Sequence, residues 1–197
     1  MSCVSTLDLC VIQGATFIKA LNWYGGGKVC KMVEALVPGC PTLITITAHG
    51  LPSVSDTPVF IKHVKGAKNA NTTDDKPVVA TYVDVDSFYV DADTVSQIYT
   101  ANTGLVTYFA PKDLTGYTAR MQIRESIDDA TEILELLSPT DINISIADAR
   151  ITITIADEVT ETFTFDSAVY DLELESSAGE VTRLIEGKIA LDKEVTR

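Results

Sequence analysis

Histidine is scarce in this chain of 197 residues, which has only His49 and His63. A zinc site or a hydrolytic triad built on them would need partner side chains at defined spacings, and the sequence around them supplies none. Basic residues are outnumbered, 15 against 28 acidic, for a net charge of -13. That field repels phosphate backbones, so nucleic acid is not an expected partner. Long apolar runs are missing as well. No stretch approaches the roughly eighteen apolar residues of a membrane-spanning helix. The N-terminal stretch MSCVSTLDLCVIQGATF lacks the basic flank and apolar run of a secretory signal, which predicts a protein made and kept in a cytoplasm. The four cysteines, Cys3, Cys10, Cys30 and Cys40, match neither a CxxC pair nor a zinc ribbon and are expected to be reduced structural or surface thiols. There is no fixed-period repeat, heptad pattern or low-complexity tract, which argues against a fibrous shaft.

What is present is strand sequence. A hydrophobic content of 46% is enough for a real core, in one generous domain or two small ones. Runs rich in Val, Ile, Thr, Tyr and Phe alternate with polar residues over 42–48, 58–64, 78–85, 87–92, 116–124, 149–156, 169–176 and 181–192, and are cut by Gly, Pro, Asn and Asp. The pattern predicts an all-β fold. Residues 128–138, DDATEILELLS, have helix-favouring Glu and Leu but are short and lie between strand signals, so a strand is expected there too.

In the C-terminal third, Ile151, Ile153 and Ile155 alternate with Thr152 and Thr154, and Leu172 and Leu174 alternate with Asp171, Glu173 and Glu175. Each such strand has one dry and one wet face, as in a sandwich of antiparallel sheets. ESSAGEVTR, with Ser176, Ser177 and Gly179, reads as the turn of a hairpin. Residues 7–27 look like a pair of strands broken at Gln13 and Gly14 and closed by Gly25, Gly26 and Gly27. Residues 29–109 then form an excursion before KDLTGYTARMQIR resumes the first pattern.

Several residue groups invite a chemical role, and each has a plainer one. His49 precedes a glycine at a strand end and reads as a turn residue; His63, in FIKHV, reads as a solvated or half-buried strand residue. Asp84, Asp86, Asp91 and Asp93 could donate oxygen ligands to calcium, but they lack EF-hand spacing and read as a solvated strand face plus a turn. Asp171, Glu173 and Glu175 share a face with Arg183 and Lys188 nearby, which favours cross-strand charge pairing over a glycosidase pair. Gly25 to Lys28 lack the spacing and following helix of a phosphate loop. Trp23 and Tyr24 read as core or interface aromatics rather than a sugar platform. No catalytic, cofactor-binding or metal-ligating residue is expected, and no cofactor.

The segments IQGATFIKALNW, DLTGYTARMQIR and YDLELESSAGEVTRLIEGKIALDKEVTR resemble a β-sandwich domain recurring in small virion structural proteins of tailed bacteriophages. They are similar to the immunoglobulin-like N-terminal module of baseplate upper proteins. PGCPTLITITAHGLPSVSDTPVFIKHVKGAKNAN followed by VDVDSFYVDA resembles the small barrel of the first catalytic cysteine half-domain of ubiquitin-activating enzymes, a module also found in phage structural proteins. His49, Gly50, Leu51, Gly66 and Asn69 or Asn71 match its pattern, whereas Ser55-Asp56 stands where Gly-Asp is usual. That module does not supply the enzymes' catalytic cysteine, so ubiquitin chemistry is not implied.

The resemblances imply an immunoglobulin-like β-sandwich of residues 1–28 and 110–197 with a small β-barrel, 29–109, inserted in it. Two chain crossings at 25–28 and 108–113 would then join the bodies as a stiff elbow. They further imply a non-enzymatic structural component of a tailed-phage virion, made in the bacterial host cytoplasm. Such a component would be a homo-oligomeric tail, neck or baseplate adaptor that docks a neighbouring protein or fibre, with no nucleic-acid or membrane partner. An assembly factor absent from the finished particle is a further possibility. A host-surface glycan-binding module is the alternative, with Tyr82, Phe88, Tyr89 and Tyr99 as the local supply of stacking aromatics.

Overall fold

The computed structural model describes residues 5–53 and 56–194; Cys3 and Ser55 lie outside them. The protein is all-β, with sixteen strands, one five-residue helix and one three-residue 3-10 turn among the described residues. Strands β1 (Ser5–Thr6), β2 (Leu9–Ile12) and β3 (Phe17–Asn22) come first. The middle holds β4 (Lys28–Met32), β5 (Ala35–Val37), β6 (Thr42–Thr45), β7 (Thr57–Lys62), β8 (Val78–Asp84), β9 (Ser87–Val90) and β10 (Leu105–Phe109). The last part holds β11 (Thr118–Arg124), β12 (Leu134–Leu137), β13 (Ile142–Ser145), β14 (Arg150–Ile155), helix α1 (Asp157–Glu161), β15 (Ser167–Glu175) and β16 (Val181–Asp192). No helix of the described residues is long and apolar enough to cross a membrane.

The chain divides into two compact units, one of Met1–Leu21 with Leu114–Arg197 and one of Asn22–Asp113. These limits differ from the sequence-based ones at 28 and 110. The glycine and proline stretches that looked like linkers are zipped together inside the second unit: Gly26 donates to the Ala110 carbonyl at 3.0 Å, Ala110 to Gly27 at 3.0 Å and Lys112 to Trp23 at 2.8 Å. Any side chain at Gly26 would collide with the Ala110 backbone, so glycine there serves the close approach of the two chain segments.

In the first unit, a six-stranded sheet runs β1-β16-β15-β11-β12, with β2 also on β16, and a three-stranded sheet runs β13-β14-β3. The strands β2 and β3, read from sequence as a pair, thus belong to different sheets. Gln13 to Thr16 form a corner between them, fixed where Thr160 donates to the Ala15 carbonyl at 2.9 Å and Gln13 to the Phe163 carbonyl at 2.9 Å. The helix α1 that carries Thr160 was not legible from strand alternation; Asp157 and Glu158 in its first turn suit the positive end of its peptide dipoles.

The alternating residues behave as their pattern requires. Ile151, Ile153, Leu172, Leu174, Met121 and Ile123 are fully buried, each contributing roughly 1.5–3 kcal/mol of transfer free energy. β15 and β16 form the expected hairpin, closed by Gly179 donating to Ser176 at 2.9 Å with Gly179 at φ 78°. The segment 128–138 is strand only over Leu134–Leu137, which pairs with β11; turns and bends precede it.

The second unit is one seven-stranded sheet in the order β4-β10-β7-β8-β9-β6-β5. Its two end strands are separated in sequence only by Val33 and Glu34, which hydrogen-bond to Gly104 and Thr45 respectively, so the sheet closes on itself. Closure removes the free edges that open sheets expose. Ile44, Val59, Ile61, Phe88 and Val106 fill the interior. Sequence alternation runs past the true ends of β6 and β7 among others, and beyond these two the backbone turns left-handed at Ala48, φ 47°, and at His63, φ 63°.

Candidate functional site

The outer wall of the closed sheet carries a largely apolar surface hollow. In β10, Val106 and Tyr108 point inward, which by the two-residue period puts Leu105, Thr107 and Phe109 outside. Phe109 is 55% exposed, a large apolar surface left in water at a position where the period calls for a polar residue. Thr107 faces Phe60 of β7 across the ladder, and Pro58 faces Val79 of β8. Together with Tyr24 and Lys28 these strands enclose a groove of about 420 Å³.

The rim is polar and already organised. Lys62 donates to Asp74 at 2.6 Å and to the Thr72 carbonyl at 2.9 Å, and that lysine holds the Asp74 carboxyl below its ordinary range. Tyr24 donates to the Asp56 carbonyl at 3.0 Å. With the one carboxylate of the lining engaged by the lysine beside it, the groove offers apolar area and fixed polar edges. That chemistry suits binding rather than proton transfer.

The first unit carries a different hollow, of about 570 Å³, over the polar face of β11, β15 and β16. Arg183 sits among three carboxylates there, at 3.2 Å from Asp171, 3.8 Å from Glu173 and 3.3 Å from Glu186, and Arg120 holds Glu173 at 2.9 Å. The expected cross-strand pairing is therefore made by Arg183. Lys188 lies opposite Val169 instead, and its backbone N–H donates to Asp8. Two carboxylates bridged by a guanidinium are poorly placed to act as an acid and a nucleophile.

His49, read from sequence as a turn residue, is a buried tie in the second unit, with 1% of its surface exposed. Its Nδ1 accepts from the Leu51 N–H at 3.0 Å, which makes Nε2 the protonated nitrogen that donates to the Asp84 carbonyl at 2.7 Å. The ring meets Phe88 and Tyr82 edge-on, and the Tyr108 hydroxyl donates to the His49 carbonyl. His63 is exposed at the end of β7.

Asp84, Asp86 and Asp93 cap turns: Asp84 accepts from Asp86 N–H at 2.9 Å, Asp86 from Ala48 N–H at 2.7 Å and Asp93 from Val95 N–H at 3.1 Å. Among the described residues no group of three or more His, Cys, Asp or Glu side chains is placed to hold a metal ion. Cys10, Cys30 and Cys40 are unpaired and exposed. Trp23 is half-buried, with the Lys112 ammonium 5.7 Å from its ring centre.

The four aromatics of the glycan alternative do not share a platform. Phe88 is fully buried, Tyr99 spends its hydroxyl on the Val33 and Thr103 carbonyls, Tyr82 packs on His49, and Tyr89 alone of the four is exposed. Strand alternation had put Phe88 in a strand without assigning its face. The groove at Phe60 and Phe109 was missed, although aromatics at outward positions of β7 and β10 were its signal.

No protein-family model matches the chain, and no curated protein matches it.

Proposed function

We propose that the protein is a non-enzymatic structural component of a tailed-phage virion, an adaptor of the tail, neck or baseplate that docks a neighbouring protein or fibre and acts as a homo-oligomer. The observation that carries this reading is the chain path. Both ends of the chain contribute to the first unit, while the second leaves it after β3 and returns before β11.

Within the first unit, β16, β15, β11 and β12 follow the order of the G, F, C and C′ strands of a variable-type immunoglobulin sheet, and β13, β14 and β3 that of D, E and B. We read it as an immunoglobulin-like sandwich on that basis. The second unit is then an insertion between the B and C strands, the architecture that the sequence resemblances imply. The groove at Phe60 and Phe109 supplies the apolar area that a protein contact uses. The buried state of Phe88 and the engaged hydroxyl of Tyr99 weigh against sugar stacking.

Quantitative mass spectrometry of purified particles from a phage or induced prophage encoding this chain tests the proposal. The expected result is a fixed stoichiometry with the tail proteins, and tail-defective particles when the gene is deleted. Absence from particles that nevertheless need the gene to assemble would replace the adaptor with an assembly factor. Absence together with normal particles in the deletion strain would end the virion reading altogether.

A further inference from the structure

We propose that the tip of the second unit built from residues 63–68 and 95–100 docks onto the acidic 125–128 loop in the first unit of another copy of this chain. The inference rests on the reading above that the protein works in an assembly, and it names the contact that would make one.

Charge is segregated between the units. The first holds 19 acidic and 8 basic residues, net -11, and the second 9 and 7, net -2. Within the second unit, residues 57–73 and 94–112 contain no carboxylate side chain, and of the bordering Asp74 and Asp93 the first is paired with Lys62 and the second accepts from the Val95 N–H; Lys65 and Lys68 fall in the first of those stretches. The two stretches meet at one end of the closed sheet. Thr100 N–H donates to the Lys65 carbonyl at 3.0 Å, Lys65 N–H to the Thr103 hydroxyl at 3.1 Å and Asn69 N–H to the Gln97 side chain at 3.1 Å. Gly66, at φ 79°, lets the Ile98 backbone pass where any side chain would collide with it.

This scaffold holds two aliphatic side chains out in water. Ile98 is 86% exposed and Val95 66%, and Lys65 and Lys68, both exposed, have no ion-pair partner among the described residues. An aliphatic pair with free ammonium groups beside it, on a chain of net charge -13, is chemistry for an acidic partner surface with an apolar centre.

The chain itself presents an exposed aliphatic side chain flanked by carboxylates, in a loop whose neighbouring Arg124 is turned to the Asp129 carbonyl and to Glu132. Ile127 is 85% exposed between the exposed Glu125 and Asp128. The loop is held by Asp129, whose carboxylate accepts from the Ser126 N–H at 2.7 Å and hydroxyl at 2.8 Å, so Ile127 is kept outward without being ordered on contact. Because tip and loop are different patches, the contact is made either twice, reciprocally, in a two-fold dimer or once per copy, head to tail, in a ring or filament.

The test uses the full chain. Isotope-labelled and unlabelled protein are mixed, coupled with a zero-length carbodiimide that joins amines to carboxylates, and read by mass spectrometry alongside sedimentation. The expected result is self-association with mixed-label links from Lys65 or Lys68 to Glu125 or Asp128. Association should weaken about tenfold or more in Lys65→Glu/Lys68→Glu, and recover when that variant is mixed with Glu125→Lys/Asp128→Lys. Ile98→Asp should weaken it with circular dichroism unchanged, since the side chain is in water. An oligomer linked elsewhere and indifferent to these variants would overturn the contact and leave the assembly reading standing. A chain monomeric at all concentrations would overturn the contact too, and particle mass spectrometry would judge the virion role separately.

Discussion

The Tyr170 hydroxyl donates a hydrogen bond to the Leu7 carbonyl at 2.6 Å. Tyr170 lies opposite Gly187 in the β15–β16 ladder, so the ring reaches across β16 where it has no side chain to Leu7, in the link between β1 and β2. Burial, with a smaller contribution from Asp8, pushes the phenol up to about 12. An unfolded tyrosine titrates at about 10, so between about pH 10 and 12 the unfolded chain binds fewer protons than the native one, and stability falls as pH rises. Tyr170→Phe should cost about 1 kcal/mol at neutral pH for the lost hydrogen bond. The gap between wild type and variant should then narrow through that alkaline window. Urea unfolding at several pH values would show this; burial raises Tyr108 in the same direction, so some alkaline slope should persist in the variant. A gap constant across pH would mean that the Tyr170 proton is not linked to folding.

Gly187 itself carries a second prediction. Residues 5–12 run parallel to 185–192 in one register, Ser5 opposite Ile185 and Leu9 opposite Ile189, with a break where Leu7 passes Gly187. A Cβ at Gly187 would collide with the Leu7 backbone carbonyl. Gly187→Ala should therefore destabilise the first unit by about 1–3 kcal/mol and speed amide exchange around Leu7 and Leu9. Gly179→Ala, in the hairpin turn, meets no atom within 4 Å and should cost only the strain of its positive φ. Equal exchange at residues 5–9 in both variants would remove the special role assigned to the crossing.

In the second unit, His49→Ala would leave the Leu51 N–H and the Asp84 carbonyl without their partner and open a space beside Phe88. The expected loss is about 2–4 kcal/mol. His49→Asn should recover part of it, because an amide oxygen can accept from Leu51 where the ring nitrogen did. Trp23 is the single tryptophan and belongs to this unit, so its fluorescence through a denaturant titration reports the effect directly. Alanine and asparagine variants of equal stability would show that the Leu51 bond contributes little.

What the sequence made legible follows from which interactions are local. The period of two in Ile151 to Ile155 and Leu172 to Leu174 gave the strands, their faces and the hairpin at Gly179, because alternation and turn chemistry need only neighbours in the chain. The assignment of β2 and β3 to different sheets was hidden, since their partners β16 and β14 are distant in sequence. The glycines at 25–27 looked like a linker for the same reason: their partner, Ala110, lies more than eighty residues on. The burial of His49 was equally out of reach, as the carbonyl that orders its ring belongs to Asp84.

The division between units predicts their independence. Each has its own buried residues, Val11, Met121, Ile151 and Leu172 in the first and Ile44, Ile61, Phe88 and Val106 in the second. Removing Asn22–Asp113 and joining Leu21 to Leu114 through a short glycine-rich linker should leave the first unit folded, because β3 and β11 keep their partners β14 and β15. Loop-closure entropy favours this, since a short linker costs less to close than the roughly ninety residues it replaces, by (3/2)RT ln of the length ratio, about 2 kcal/mol. The deletion should show a cooperative urea transition and dispersed amide resonances from β14 to β16. A chain that stays collapsed but without such a transition would mean that the first unit depends on contacts from the excised segment, and the proposed adaptor role would lose its mechanical basis.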